Sequence, residues 1–110
     1  MQRDLLTDFE LMILLAVLRV GDDAYGAALA REIETTGQRR VMLGALYAAL
    51  DRMEGNGLVA SRLGDPTPQR GGRAKRLFTV TPPGLRAARD TRRALIAMWS
   101  DIPALKERRA

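Results

Sequence analysis

The sequence predicts a mainly α-helical domain that carries one small β-hairpin. Apolar residues recur at helical spacing in four segments, and a glycine or proline marks the end of each segment. Two short β-prone runs flank a single loop rich in glycine and proline, which is the pattern of a hairpin. The 110 residues, of which 46% are hydrophobic, are enough for one packed core and hardly for two.

The first helix is predicted to begin after Thr7, its N-cap, and to end near Arg19. Thr7 and Glu10 fit a capping box, in which each side chain bonds to the backbone N–H of the other residue. Gly21 is a good C-terminal signal. The run Leu11–Leu18 is too short to span a bilayer and is apolar on every side. We therefore expect no membrane partner, and we expect one face in the core and another against a second subunit.

Two further helices are predicted over Tyr25–Thr36 and Leu43–Glu54. Gly37 ends the second helix, and Asn56-Gly57 ends the third. The predicted core stripe of the third helix consists of Leu43, Leu46, Tyr47, Leu50 and Met53. Its predicted outward positions are Gly44, Ala45, Ala48, Ala49, Asp51 and Arg52. Three short helices joined by tight turns are typical of a helix-turn-helix.

Two strands are predicted over Leu58–Leu63 and Lys75–Val80, around the loop 64–72. The loop and its shoulders carry one acidic residue, Asp65, and several basic ones. The basic residues are Arg62, Arg70, Arg73, Lys75 and Arg76. A basic hairpin directly after a helix-turn-helix is the layout of a winged helix. The predicted fold is therefore a winged helix-turn-helix.

The last predicted helix begins after Thr81, its N-cap, with Pro82 at the first helical position, and runs to about Asp101. Its apolar stripe consists of Leu85, Ala88, Leu95, Trp99 and Ile102. Such a stripe on a helix that follows the domain is suited to burial against another chain. We therefore divide the chain into a winged-helix domain, residues 1–81, and a C-terminal dimerisation helix with its tail, residues 82–110.

Charge is distributed unevenly along the chain. The net charge is +5, yet residues 1–36 hold 3 basic and 7 acidic side chains. Residues 37–110 hold 15 basic and 6 acidic side chains. An acidic first third and a basic remainder favour one face that binds a polyanion.

Two residue types are absent from the sequence, histidine and cysteine. Their absence removes the usual general base, the thiolate nucleophile and the commonest metal ligands. We therefore expect a cytoplasmic, non-enzymatic, anion-binding protein with no catalytic residues, no metal site and no cofactor.

Four segments of the chain occur in an order and at a spacing known from one family. They are Tyr25-Gly26, Gly44–Leu50, Gly57–Val59 and Arg73–Gly84. Together they resemble the PadR-like transcriptional regulators over about residues 5–102, and the length is similar to the short subfamily with a single helix after the wing. The resemblance implies a homodimeric repressor that binds operator DNA in the bacterial cytoplasm, associated with the nucleoid, and is often released by a small molecule.

The chain departs from the family pattern at three positions. Ala45 stands where the family often has threonine, Ala48 where it often has proline, and Phe78 where it usually has tyrosine. Ala45 and Phe78 lack the hydroxyl groups of threonine and tyrosine, so the polar DNA contacts that the resemblance implies at these positions are not expected here, whereas the family's fold is.

The predicted DNA-binding residues lie on the third helix, just before it and on the hairpin. They are Arg39, Arg40, Gly44, Ala45, Tyr47, Ala48, Arg52, Arg70, Arg73, Lys75 and Arg76. Since four of the six outward positions on the helix are glycine or alanine, few hydrogen bonds to bases are available. We therefore expect phosphate contacts and DNA shape to supply much of the affinity, with alanines against thymine methyl groups. Tyr47 suits either a phosphate contact or core packing with a wet hydroxyl.

Trp99 is the sole tryptophan and lies on the predicted dimer seam. In multidrug-responsive members that the sequence resembles, a tryptophan at the matching position lines a flat hydrophobic pore at the dimer centre. The predicted dimer and effector pocket consists of Met12, Ala16, Leu95, Met98, Trp99 and Ile102. It would take a flat aromatic or cationic molecule. A tryptophan that only anchors the interface is compatible with the same sequence.

One alternative to a DNA-binding regulator remains. A winged-helix dimer can serve as a protein-interaction module that does not read DNA sequence. The scarcity of hydrogen-bond donors on the outward positions of the third helix motivates this alternative.

Overall fold

Four α-helices and one β-hairpin make up the part of the chain that this computed structural model describes, residues 5–65 and 74–106. The elements are α1 (Asp8–Val20), α2 (Gly26–Thr36), α3 (Leu43–Gly55), β1 (Val59–Leu63), β2 (Arg76–Val80) and α4 (Pro82–Trp99). Short 3₁₀ turns follow α1 at Gly21–Asp23 and α4 at Pro103–Leu105. The predicted mainly α fold with a hairpin is confirmed. Among the described residues, no helix has the length and apolar character needed to cross a membrane.

The residues just before α1 and α4 cap these helices as predicted. Thr7 Oγ1 accepts a hydrogen bond from the Glu10 backbone N–H at 3.1 Å, and a Glu10 carboxylate oxygen accepts one from the Thr7 N–H at 2.9 Å. Thr81 Oγ1 accepts one from the Gly84 N–H at 3.1 Å. These bonds pair backbone donors that the first helical turn leaves without partners. Local sequence therefore determines where both helices begin.

The end of α4 differs from the prediction. The helix ends at Trp99, and the Ser100 hydroxyl donates a hydrogen bond to the Ile96 carbonyl at 2.6 Å. Asp101 has a φ of +62°, in the left-handed region, and Ile102 is extended. Because Pro103 disfavours a helical conformation at the preceding residue, Ile102 lies beyond the helix rather than on its stripe.

The core lies between α1, α2, α3 and one face of the hairpin. Its largest fully buried side chains are Phe78, Ile13, Leu14, Leu29, Leu46, Leu50, Met53 and Val59. The antiparallel strands pair Val59 with Val80, Ser61 with Phe78 and Leu63 with Arg76. Since side chains alternate along a strand, Arg76 lies on the same face of β2 as the buried Phe78.

The buried stripe of α3 differs from the predicted one. It consists of Leu46, Ala49, Leu50 and Met53, at positions i, i+3, i+4 and i+7. Ala49 is only 2% exposed, so its predicted outward position is wrong. Leu43 is 48% exposed and Tyr47 is 37% exposed, so the predicted core positions of both residues are wrong. The helix is rotated relative to the prediction because the small Ala49 side chain fits against the core.

Two glycines of the family pattern permit close approaches between elements. A Cβ atom on Gly84 would lie 2.1 Å from the Leu58 carbonyl oxygen, so α4 begins directly against the residue before β1. A Cβ atom on Gly26 would lie 2.2 Å from the Tyr47 hydroxyl oxygen. Tyr47 of α3 therefore packs on the first residue of α2, where only glycine leaves room.

The first half of α4 packs against the rest of the domain, whereas the second half is uncovered. Thr91 is buried, and its Oγ1 accepts a hydrogen bond from the Leu6 backbone N–H at 3.1 Å. Every residue from 95 to 106 is exposed in the single chain. The division of the chain at residue 81 stays a prediction.

Candidate nucleic-acid interface

The exposed side of α3 is an accessible face of the helix-turn-helix. We call it the α3 surface and define it by its exposed residues: Met42, Leu43, Gly44, Ala45, Tyr47, Ala48, Asp51 and Arg52. Five of the predicted DNA-binding residues are exposed here: Gly44, Ala45, Tyr47, Ala48 and Arg52. Met42, which is 71% exposed and precedes the helix, was not among the predicted residues.

The arginines before and at the end of α3 differ in their surroundings. Arg39 Nη1 lies 3.3 Å from an Asp8 carboxylate oxygen, and its guanidinium lies 4.5 Å from the centroid of the Phe9 ring. Arg39 is therefore held against the start of α1. Arg40 and Arg52 are exposed, and neither forms an ion pair within the described part of the chain. These two cations are the ones available to an outside anion near α3.

Arg76 connects the hairpin to α3. Its Nη1 donates to Asp51 at 2.8 Å, its Nη2 to Glu54 at 2.6 Å and its Nε to the Ser61 hydroxyl at 3.3 Å. The Ser61 backbone N–H and hydroxyl also donate to the Glu54 carboxylate, at 3.1 and 2.8 Å. We call these four residues the Arg76 network. It fixes β1 and β2 relative to the last turns of α3.

The charges of the Arg76 network stabilise one another. The hydrogen bond with Asp51, followed by that with Glu54, raises the pKa of Arg76 against the opposing effect of desolvation. The hydrogen bonds from Ser61 and then from Arg76 lower the pKa of Glu54. Because Nε, Nη1 and Nη2 of Arg76 each donate a hydrogen bond within the domain, the side chain acts inside the domain in this structure. Its contact with DNA stays a prediction.

Three other hairpin residues are predicted to bind DNA: Lys75, Arg70 and Arg73. Lys75 Nζ lies 3.8 Å from an Asp23 carboxylate oxygen and 4.2 Å from the centroid of the Tyr25 ring, so the cation lies against the turn before α2. Arg70 and Arg73 lie outside the described residues. Arg62 is exposed on the outer face of β1, where strand alternation could have placed it from the sequence.

The residues predicted to form an effector pocket lie in two places within one chain. Met12 and Ala16 line an apolar groove of about 310 Å³ between α1 and α2, together with Leu15, Leu18 and Ile33. Trp99 and Ile102 line a separate shallow groove beyond α4. Leu95, Met98 and Trp99 point away from the core, and Trp99 is 63% exposed. A single chain therefore does not bring the six residues together.

Comparison with protein families identifies the chain. Residues 14–90 match the model of the transcriptional regulator PadR-like family. The chain belongs to the PadR-like family. It is 40% identical over 83 residues to the transcriptional regulator Rv3488 of Mycobacterium tuberculosis, a match that covers 74% of this chain and 71% of that protein. The family and this relative are transcriptional regulators rather than enzymes, which confirms the expectation of a non-enzymatic protein.

Solved structures of transcriptional regulators have the same fold. The PadR-like regulator from Bacillus cereus ATCC 14579 has a TM-score of 0.70 at 20% identity, over 90% of this chain and 93% of that one. A transcriptional regulator from Clostridium thermocellum has a TM-score of 0.68 at 20% identity, over 89% of this chain and 92% of that one. The hairpin of this PadR-like chain is therefore the wing of a winged helix.

Proposed function

We propose that this PadR-like regulator is a cytoplasmic homodimer that represses transcription by binding operator DNA, and that a small flat molecule releases it. The observation that carries the DNA-binding part is the accessible α3 surface with Arg40 and Arg52 at its two ends, since neither cation forms an ion pair with any residue that the structure describes. A recognition helix of a helix-turn-helix lies in the major groove with its N-terminal residues at the base edges. In that position, Arg40 and Arg52 are suited to contact phosphates on either side.

The uncovered second half of α4 supports a homodimer. The exposed apolar residues of this half and of the turn that follows it form what we call the α4 surface: Leu95, Ile96, Met98, Trp99 and Ile102. The only charged side chain between residues 94 and 105 is Asp101. An apolar face of this kind is suited to a protein partner, and a second copy supplies the same face. Two heads would then contact half-sites about one helical turn, roughly 34–36 Å, apart.

The two grooves support an effector site formed by both copies. Met12 and Ala16 lie beside an apolar groove on α1, and Trp99 is exposed on α4. Packing the α4 surface of one copy near α1 of the other would bring these residues to one pocket. The effector would release DNA only if it binds the DNA-free form of the dimer more tightly.

Titration of the DNA upstream of the protein's own gene tests the repressor proposal. We expect specific gel retardation whose affinity falls steeply with salt, with a slope of about −0.9 for each phosphate neutralised. Arg52→Ala should reduce that slope, whereas the matched substitution Arg93→Ala on α4 should leave it unchanged. The proposal is wrong if no duplex is retained specifically and salt has no effect.

Fluorescence of Trp99 tests the effector proposal separately. Because the chain has a single tryptophan, its emission reports on the α4 surface alone. A planar cationic dye such as ethidium, added in the absence of DNA, should quench this emission. Absence of quenching at saturating dye would rule out stacking on Trp99.

A protein-interaction module is the second candidate, and one observation favours it. The α3 surface exposes Met42 and Leu43 and offers few hydrogen-bond donors. Reversal of charge at Arg40 and Arg52 separates the candidates. Loss of DNA retention supports the repressor, whereas capture of a protein partner that survives the reversal, without DNA binding by the unaltered protein, supports the module.

A further inference from the structure

We propose that the α3 surface recognises thymine methyl groups, and that Met42 and Leu43 are the side chains that contact them. The inference rests on the proposed function as a DNA-binding protein. It goes further because it names the chemical group that the protein selects and two residues that determine the selection.

The start of α3 offers almost no polar side chain to a base. From residue 42 to residue 48 the sole polar side-chain group is the Tyr47 hydroxyl, which lies against Gly26. The exposed residues in this stretch are Met42, Leu43, Gly44, Ala45, Tyr47 and Ala48. This part of the helix therefore cannot distinguish bases through an array of hydrogen bonds.

The major groove presents one apolar feature that such a surface can distinguish. Thymine carries a methyl group at C5, whereas the other base edges present hydrogen-bond donors and acceptors. Met42 and Leu43 extend from the N-terminal end of α3, the part that meets base edges in a docked recognition helix. Methionine also adapts its shape to an irregular apolar contact.

The surrounding charges favour DNA rather than a protein as the occupant of this apolar patch. Arg40 precedes α3 and Arg52 lies near its end, and both are unpaired in the described part of the chain. Asp51, the acidic residue on the same surface, is paired with Arg76 at 2.8 Å. An apolar centre with free cations at both ends matches a groove whose floor carries methyl groups and whose edges carry phosphates.

Replacement of thymine by uracil in the bound duplex tests the inference. Uracil lacks only the methyl group and keeps every hydrogen-bonding position. We expect the affinity of the unaltered protein to fall about 3–10-fold for each contacted thymine replaced, the effect of removing roughly one buried methyl group. We compare the affinity for the thymine duplex with the affinity for the uracil duplex as a ratio. At the contacted positions, Leu43→Ala or Met42→Ala should bring this ratio of affinities close to 1. Leu5→Ala, which removes an exposed leucine before α1, should keep the ratio of the unaltered protein.

The outcomes separate this inference from the proposed function. If no duplex is bound specifically, the proposed function fails. If a duplex is bound specifically and uracil has no effect at any position, methyl recognition is overturned while DNA binding stands. If uracil weakens binding and both alanine variants retain the full ratio, the assignment to Met42 and Leu43 is overturned. The uracil series uses the unaltered protein, so its result does not depend on the folding of a variant.

Discussion

The α3 surface and the α4 surface both expose large apolar side chains, yet they differ in the charges around them. Within the described residues, Arg40 and Arg52 lie unpaired at both ends of the α3 surface, and its acidic residue Asp51 is paired with Arg76. The α4 surface has arginines at one end only, where Arg89, Arg92 and Arg93 line a groove with Ile96, and from residue 94 to residue 105 its stretch has only Asp101 as a charged residue. Exposed apolar residues alone therefore do not indicate the partner. The neighbouring charges distinguish a face suited to a polyanion from one suited to a second copy.

The two surfaces also differ in how firmly the domain supports them. The Arg76 network connects the last turns of α3 to both strands, and Tyr47 packs on Gly26 of α2. Beyond Thr91, the α4 helix has no comparable connection among the described residues. The α3 surface is thus positioned within each chain, whereas the position of the α4 surface would depend on the second copy that we propose.

The largest expected effect comes from breaking the α4 surface. The double substitution Leu95→Glu, Trp99→Glu places two carboxylates in an apolar contact, where burial of unpaired charge is costly. We expect a monomer in sedimentation and a loss of DNA affinity of about 10²–10⁴-fold, because the second head no longer binds in an intramolecular step. Arg86→Glu, on the packed half of α4, should remain dimeric. A double variant that stays dimeric would contradict the assignment of this surface.

The second-largest expected effect concerns the contact between Tyr47 of α3 and Gly26 of α2. Gly26→Ala inserts a methyl group where the Tyr47 hydroxyl lies, and overpacking of this kind costs about 1–3 kcal/mol in the free energy of unfolding. In a Tyr47→Ala background the same change should cost much less. Gly55→Ala is the control, since no atom lies within 4 Å of the added carbon. Urea unfolding of the unaltered protein, the two single variants, the double variant and the control measures the coupling between Gly26 and Tyr47. If Gly26→Ala lowers the free energy of unfolding equally in both backgrounds, the two residues do not interact.

Features that depend on neighbouring residues could be predicted from the sequence. The caps at Thr7 and Thr81 are such features, since each involves residues three positions apart. The hairpin and the order of the helices followed from periodicity and from glycine and proline positions. The rotation of α3 was missed because Leu43 and Ala49 both fit an apolar helical stripe, and only packing against α1 and α2 chooses between them.

The role of Arg76 shows why the site was harder to predict than the fold. Its partners Asp51 and Glu54 are 25 and 22 positions away, so local patterns do not indicate the pairing. One signal was present, since Arg76 lies two residues before Phe78 and alternation places both on the core side of β2. The basic composition of the hairpin outweighed that signal in the sequence analysis.

Arg52 forms no ion pair among the described residues, whereas Arg76 is paired, and this difference predicts a smaller effect on DNA binding. Arg52→Ala should weaken binding to all DNA sequences alike and reduce the salt slope by about 1. Arg76→Ala should leave the slope unchanged but lower stability, since it leaves Asp51 and Glu54 without their cation. Salt titrations and thermal unfolding of both variants measure the difference. A reduced slope in Arg76→Ala would place that arginine on DNA instead.

The smallest effect concerns the pH dependence of the Arg76 network. The pKa of Glu54 is lowered in the folded protein from its ordinary value of 4.5, first by Ser61 and then by Arg76. Its stabilising contribution is therefore complete above pH 4.5 and is lost as the pH falls through the lowered value. Glu54→Gln should be less stable than the unaltered protein at pH 7, and this difference should be smaller at pH 3. Asp22→Asn, at an exposed position, should show no such convergence in urea unfolding at the two pH values. A difference that stays constant from pH 7 to pH 3 would mean that shape, rather than the charge of Glu54, connects α3 to the wing.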